Sequence, residues 1–259
     1  MKHKILLILL IFGYGLTTAQ QPEQNNPFLI HVDFGSCFFN GDLKDKWSIR
    51  QDIEPYGYTS YNNSVNHSTS SFYFSIKPEY RFFNGKAGVM AGIRYTRFSS
   101  DLEKDKYFHL RYKKEGLNTE FARVRSINEK YDYIGIPVEI QYLPLQYQYV
   151  GFYIKIGTDM NFRIKSDIDM VFVNESMEKH QQEIFDRTGV DTNSFYSTLY
   201  GSLGAKIGKT DGVNFHFDVF LPSFVLTSNN LSLTSLGVFS GVQCSLVIPF
   251  KKSKKQTEL

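Results

Sequence analysis

The sequence predicts an all-β protein, an eight-stranded antiparallel up-and-down transmembrane β-barrel with short periplasmic turns and long extracellular loops. Three observations predict it. Eight segments alternate apolar and polar residues with a period of two, and the connections between them alternate strictly between long and short. The composition, 17 Tyr and 23 Phe against a single Trp, favours strands over helices. The alternation is plainest in "VGFYIKIGTDMNFRIK", residues 150–165. There Val150, Phe152, Ile154, Ile156, Met160 and Phe162 share one face, and Tyr153, Lys155, Asp159, Asn161, Arg163 and Lys165 share the other.

Ahead of the strands, Met1-Lys2-His3-Lys4 reads as a basic n-region, residues 5–16 as an apolar h-region, and Thr17-Thr18-Ala19 as a small-residue cleavage site. The expected organisation is a signal peptide over 1–19, a short periplasmic segment over 20–27, the barrel over 28–250, and a basic periplasmic tail over 251–259. Past the signal no apolar run approaches the ~20 residues that a spanning helix needs. Loss of Lys2 and Lys4 takes the formal charge of +3 down by two, to +1, so no broad basic field argues for nucleic acid. Cys37 and Cys244 have opposite parities in their strands, and a disulfide between them is disfavoured.

The strands are expected at 28–38, 71–83, 87–98, 133–142, 149–164, 195–207, 213–221 and 236–250. Each is about the ~9–11 residues of a membrane-spanning strand, or somewhat longer. Between them, Asn84-Gly85 signals a type I′ hairpin, and the connections over 143–148 and 208–212 are also short. The other four connections are longer, far beyond ordinary hairpin loops in three cases. Short and long thus fall on opposite ends, the layout of an even-stranded outer-membrane barrel with both termini in the periplasm. Pro78 and Pro137 fall inside strands, where a closed sheet offers no free edge, and are read as bulges or kinks.

A soluble barrel would produce the same alternation with its apolar face inward. Two features favour the membrane. Aromatic residues of the apolar parity gather at the strand ends: Phe28, Tyr80, Phe82, Tyr142 and Phe250 on the turn side, and Phe38, Phe72, Tyr95, Phe162 and Phe195 on the loop side, as in interfacial girdles. The opposite face carries many glycines, among them Gly88, Gly92, Gly157, Gly204 and Gly237, leaving room for long charged side chains.

The stretch Tyr131-Asp132-Tyr133-Ile134-Gly135-Ile136-Pro137-Val138-Glu139-Ile140-Gln141-Tyr142, after a strand ending Tyr95-Thr96-Arg97, resembles the PorT-like outer-membrane β-barrel proteins of Bacteroidetes, whose middle strand carries a similar Ile-Pro segment. The resemblance extends to the layout of the whole mature barrel. It implies an outer-membrane barrel of a group with no known enzyme activity; one member of that group is an accessory of a secretion machine. It brings no functional residue with it. Val247-Ile248-Pro249-Phe250 supplies a terminal-strand aromatic, but the chain continues through a basic tail.

The face opposite the apolar one holds Lys77, Arg81, Arg94, Lys155, Arg163 and Lys206 against Asp33, Glu79, Glu139, Asp159 and Asp218. An eight-stranded barrel is about wide enough for its own side chains to fill it, so these charges are expected as a structural salt-bridge network in the lumen. An ion-selective pore would show one dominant sign. His31 with Asp33 and His216 with Asp218 have the spacing of carboxylate-oriented imidazoles, but no nucleophile is fixed beside them by motif, and their role stays open. No catalytic, cofactor-binding or metal-ligating set is expected, since there is no Gly-rich phosphate loop and no Cys/His spacing for a metal.

Binding is expected on the connections. The second long loop contains alternating stretches at 107–112 and 120–125 that would extend its flanking strands above the membrane, and the third contains a short helix over 175–187 between Asn174 and Gly189. The reading is therefore a non-enzymatic outer-membrane barrel, monomeric and in contact with outer-membrane lipid. It would act as an envelope scaffold or a secretion or assembly accessory with a protein partner. The alternatives are a small pore or transporter and, below it, a lipid-modifying or proteolytic enzyme.

Overall fold

The structure, a computed structural model, describes residues 28–43, 49–50, 65–115, 118–187, 193–209, 212–227, 231 and 234–250. The expected signal, the segment over 20–27, the basic tail, most of the first long loop and Gly189 lie outside the described residues. Eight staves form the sheet: β1 Phe28–Phe39, β2 Asn66–Phe82, β3 in two pieces Ala87–Ala91 and Ile93–Glu115, β4 Asn118–Tyr147, β5 Val150–Phe172, β6 Phe195–Gly208, β7 Asn214–Val225 and β8 Val238–Pro249. A two-residue strand, Ile49–Arg50, adds to the far end of β3 at Leu110 and His109.

Each stave pairs antiparallel with its neighbours in sequence, and β1 closes the ring by pairing with both β2 and β8, as in Val32↔Ile76 and Val32↔Leu246. Closure leaves no free edge in the ring, so its backbone groups are paired without water. The barrel is inside out relative to a soluble one. On β5, Phe152 and Ile156 are 57% and 61% exposed while Lys155 between them is 1% exposed. The same inversion runs along β7, where Phe215 and Phe217 face out and His216 and Asp218 are buried. An apolar outer face around a charged interior makes this an outer-membrane barrel.

The girdle residues line the rims as expected. Phe28, Tyr80, Phe250, Phe38, Phe72 and Phe162 are exposed, Phe82, Tyr142, Tyr95 and Phe195 are half-buried, and rings pair across strands at Phe28–Tyr80 and Phe162–Phe195. Cys37 is buried and Cys244 exposed, both as free thiols.

Both prolines answer to one irregularity. β3 breaks at Gly92, between the pairs Ile76↔Ile93 and Glu79↔Met90 toward β2, and between Arg94↔Gly135 and Ala91↔Val138 toward β4. Pro78 and Pro137 lie opposite that break, and the Gly92 N–H donates to the Pro137 carbonyl. A Cβ at residue 92 would collide with the Ile76 carbonyl and the Lys77 backbone, so only glycine fits there. Gly92 thus serves the bulge and not the room of the lumen.

Four expectations are corrected. β2 and β5 run past their expected ends, to Asn66 and Phe172, alongside the extensions of β3 and β4 that the alternation of the second long loop predicts. β7 continues through Pro222 to Val225 instead of stopping at Leu221: its register shifts there against both neighbours, and Leu221 and Pro222 both face outward at the bulge. Leu236 and Gly237 precede β8, so the strand's alternation does not govern them; Leu236 is buried inside and Gly237 is exposed. At the first short turn the left-handed conformations begin one residue early, on Phe83 and Asn84 as well as Gly85.

Above the membrane the interior changes character. Along β3 the inward residues run Arg94, Thr96, Phe98, Ser100 and Leu102, charged to apolar, while the outward ones run Ile93, Tyr95, Arg97, Ser99 and Asp101, apolar to polar. The extended β3, β4 and β5 enclose a core of Leu102, Phe108, Leu110, Val124, Ile127, Met170 and Phe172. A 3₁₀ turn at Glu175–His180, capped by Asn174, leads into α1, Gln181–Arg187, whose Ile184 seals that core. Gln181 covers the β5 edge as a neighbouring strand would: its Nε2 donates to the Ile168 carbonyl at 2.6 Å and its Oε1 accepts from the Met170 N–H at 3.1 Å.

The inverted faces have a measurable consequence. The unboiled protein is expected to migrate differently from the boiled one on gels, and Ile156→Arg is expected to lower stability in lipid vesicles by about 2–4 kcal/mol, the cost of a cation on the lipid face near mid-membrane. A urea titration of the folded fraction checks this, and a neutral substitution would contradict the lipid-facing assignment.

Candidate functional site

Among the described residues, buried ionisable groups concentrate in the lumen, and alternation puts them there. Ten of the eleven charged residues expected in the lumen are buried: Asp33, Lys77, Glu79, Arg81, Arg94, Glu139, Lys155, Asp159, Lys206 and Asp218. The eleventh, Arg163, sits half-buried at the loop-side rim with its guanidinium 5.6 Å from the Tyr131 ring. Its side chain meets the change of interior from charged to aromatic, which period-two parity does not reveal.

Glu139 on β4 is the hub. It lies 2.5 Å from the Lys77 ammonium, 3.3 Å from the Arg94 guanidinium and 3.5 Å from the Lys155 ammonium, and it accepts the Tyr200 hydroxyl at 2.7 Å. Each cation reaches a second acid. Lys77 pairs with Asp33 at 2.9 Å, Lys155 with Asp218 at 3.2 Å, and Arg94 with Asp159. Hydroxyl and amide groups add further donors: Ser75 donates to Asp33, Ser202 and Gln243 to Asp218, and Tyr73 to Gln243. The buried charges of this hub are tolerated because each has an opposite charge in contact.

The large lumen side chains fit because glycine stands opposite them. Tyr73 lies against Gly35, Tyr153 against Gly204 and Tyr200 against Gly157, each pair in register on adjacent strands, and a Cβ on any of these glycines would run into its tyrosine ring. Arg94 lies over the Tyr73 ring at 4.2 Å. The tyrosines and Gln243 are the network members that a charge-only reading of the sequence misses; the signal for the tyrosines was a lumen-parity Gly directly across from each.

Toward the loops the lumen is plugged. Phe98, Tyr131, Tyr133, Tyr196, Leu231 and Leu236 form a buried cluster, with Tyr133 and Tyr196 edge to face at 4.7 Å and Phe39 against Phe98 at 5.0 Å. Between plug and network lies a cavity of about 20 Å³, bordered by Cys37, Tyr73, Arg94, Asp159 and Tyr200, room for about one water molecule. Toward the turns lie the two lumen histidines. His31 is bonded to Glu79 at 2.7 Å and stands edge-on to His216 at 5.4 Å. Neither imidazole is oriented by the aspartate two residues along its own strand, which salt-bridges to a lysine instead.

Among the described residues no group of His, Cys, Asp and Glu is arranged to hold a metal ion. No helix there is long and apolar enough to cross a membrane, which says nothing of a barrel. No family model matches the sequence, and no curated protein matches it. Among solved structures the chain is similar to the outer-membrane protein OprG of Pseudomonas aeruginosa, at 14% identity over 89% of this chain and 98% of that one, with a TM-score of 0.49. It is also similar to Ail, the attachment invasion locus protein of Yersinia pestis (11% identity, 86% and 99% covered, TM-score 0.33), and to the transport unit of the autotransporter AIDA-I of Escherichia coli (8%, 94% and 97%, 0.32). With all three scores below 0.5, the fold assignment rests on the closed ring and its inverted faces.

Removing the hub is expected to be costly. Glu139→Ala leaves Lys77, Arg94 and Lys155 short of one acid and is expected to lower stability by about 3–5 kcal/mol. Tyr200→Phe, which removes one donor to Glu139, is expected to cost about 1–3 kcal/mol. Urea titrations in vesicles measure both, and a loss under about 1 kcal/mol for Glu139→Ala would show that the network does not bear on the fold.

Proposed function

We propose that the chain is a non-enzymatic outer-membrane protein whose barrel anchors a folded extracellular head, and that the head engages a protein partner as an envelope scaffold or secretion accessory. One observation carries this reading: the lumen is filled by mutually paired charges and capped by an aromatic plug, while the loops beyond it are built into strands with a core of their own. A scaffold that spends ordered structure on its connections has a surface to present. The head's outward residues, among them Arg97, Asp101, Glu103, Arg123, Arg125 and Lys130, are polar and mixed in sign. The resemblance of residues 131–142 to PorT-like proteins supports the accessory role.

A pore is disfavoured by the balanced signs and by a plug that leaves about one water's room beneath it. Enzymatic use of His31 and His216 is disfavoured by their placement, 0% and 2% exposed inside a closed barrel, where a lipid or peptide substrate does not reach them.

Affinity purification from detergent-solubilised outer membranes is expected to bring a stoichiometric envelope protein with the wild type. A variant with the β3–β4 hairpin shortened above Leu102 is expected to lose that protein while keeping its heat-modifiable gel mobility. The purified barrel is expected to give negligible single-channel current in a planar bilayer. A wild type that purifies alone, or a steady current altered by Lys155→Ala, would overturn the reading.

A further inference from the structure

We propose that the outer face of the barrel, at its loop-side rim, binds a phosphate of the phosphorylated glycolipid that forms the outer leaflet of a Gram-negative outer membrane, through Arg97 on β3, Lys130 on β4 and Lys165 on β5. The site lies at the foot of the head, and lipid there neither requires nor excludes the protein partner proposed above.

Three neighbouring strands change from apolar to charged at one register row. From mid-membrane toward the loops, the residues of the lipid-facing parity run Ile93, Tyr95, Arg97 on β3, then Ile136, Ile134, Asp132 on β4, and Met160, Phe162, Lys165 on β5. Arg97 pairs with Asp132 and Asp132 with Lys165, so the row is continuous across the sheet. On β5 a register shift opposite Asp132 and Tyr133 adds Ile164, which is exposed, just below Lys165. The next row outward joins Ser99, Lys130 and Asp167. Adjacent strands lie about 4.8 Å apart, which puts the Arg97 and Lys165 backbones about 10 Å apart with Lys130 on the strand between them, a span that three long side chains close around one phosphate.

Asp132 accepts from the Arg97 Nε at 2.7 Å, from its Nη2 at 3.1 Å and from the Tyr95 hydroxyl at 2.8 Å. Asp132 is 9% exposed and the Arg97 side chain 56%, so the carboxylate is tucked in and fixes the guanidinium at the surface. An arginine already held in place loses less freedom when a ligand binds. Over the two rows Arg97, Lys130 and Lys165 stand against Asp132 and Asp167, a net charge of +1 (3 − 2), and Asp101 and Asp169 lie a row farther from lipid. The cations are thus nearest the lipid boundary, where an anionic headgroup is attracted and where the arginine fork and the lysine ammonium suit phosphate. The patch is confined to one side of the barrel. On β1, β2, β6, β7 and β8 no lysine or arginine among the described residues faces outward, and the loop-side rim there carries Phe38, Phe72, Phe195, Phe224 and Val238. Directly below the cations, Ile134, Phe162 and Ile164 are exposed and offer an apolar surface to the acyl chains of the same molecule, which favours a lipid over a free anion.

The test is titration of the purified, folded full-length barrel in phosphatidylcholine bicelles with diphosphoryl lipid A, with dephosphorylated lipid A and inorganic phosphate as parallel arms. Native mass spectrometry counts the lipid retained on each barrel. Saturable binding of diphosphoryl lipid A is expected, weakened by added salt, with both other probes binding about tenfold more weakly or worse. Lys165→Gln and Lys130→Gln are each expected to weaken it about fivefold, and Arg97→Gln about tenfold. Lys86→Gln, in the first short turn at the other end, is expected to leave it unchanged. Arg97→Gln also deprives Asp132 of its partner; the gel shift reports whether that variant has folded, and if it has not, Lys165→Gln decides. Equal binding of the dephosphorylated lipid, or binding unchanged in folded Lys165→Gln, would overturn the proposal. Inorganic phosphate binding as tightly as lipid A would overturn the lipid assignment.

Discussion

Within a bilayer no water reaches the backbone, and every peptide group in a strand must be paired by a neighbour. The closed ring of eight staves meets that constraint, and much of the rest depends on it. Closure removes every edge, so residues that cannot take part in the ladder have to be gathered where it is interrupted. Pro78 and Pro137 face the same break at Gly92, on either side of β3, and Pro222 lies at a bulge where register shifts against both partners. Closure also forces period-two alternation to divide lipid from lumen, so the second side chain of each pair must be accommodated in a narrow interior.

That interior has the logic of a hydrophobic core turned to a different chemistry. Volume is matched across strands by glycine opposite tyrosine, as in Gly35 with Tyr73 and Gly157 with Tyr200. Charge is matched around Glu139, which touches three cations that each reach a further acid. Above the loop-side rim the solvent outside is water, and the interior becomes aromatic and then aliphatic. The crossover falls along β3 between Arg94 and Leu102, and a single strand thus records where the membrane ends.

The filled lumen separates two ends of different character. At the loop side, strands that leave the bilayer build a head with its own core, its exposed edge covered in part by Gln181. At the turn side, Arg81 and His216 lie buried beside the His31–Glu79 pair.

The sequence by itself determined the fold class, the number of staves, the ends on which turns and loops fall, and the face on which each lumen charge lies. These follow from a period-two code and from loop length, both local in the chain. Even the strand extensions in the second long loop and the short helix after Asn174 were legible, because periodicity and a capping residue are local signals. Which lysine meets which carboxylate was decided only by the tertiary structure, because Glu139 contacts Lys77 and Arg94 through strand register and barrel tilt that link residues far apart in sequence. The same holds for Leu236, whose parity pointed to lipid while its position before β8 sends it into the plug. It holds too for Arg163, which lies at the depth where the interior changes from charged to aromatic. Alternation assigns a side, but depth along the barrel and identity of neighbours are set by how eight strands close on one another.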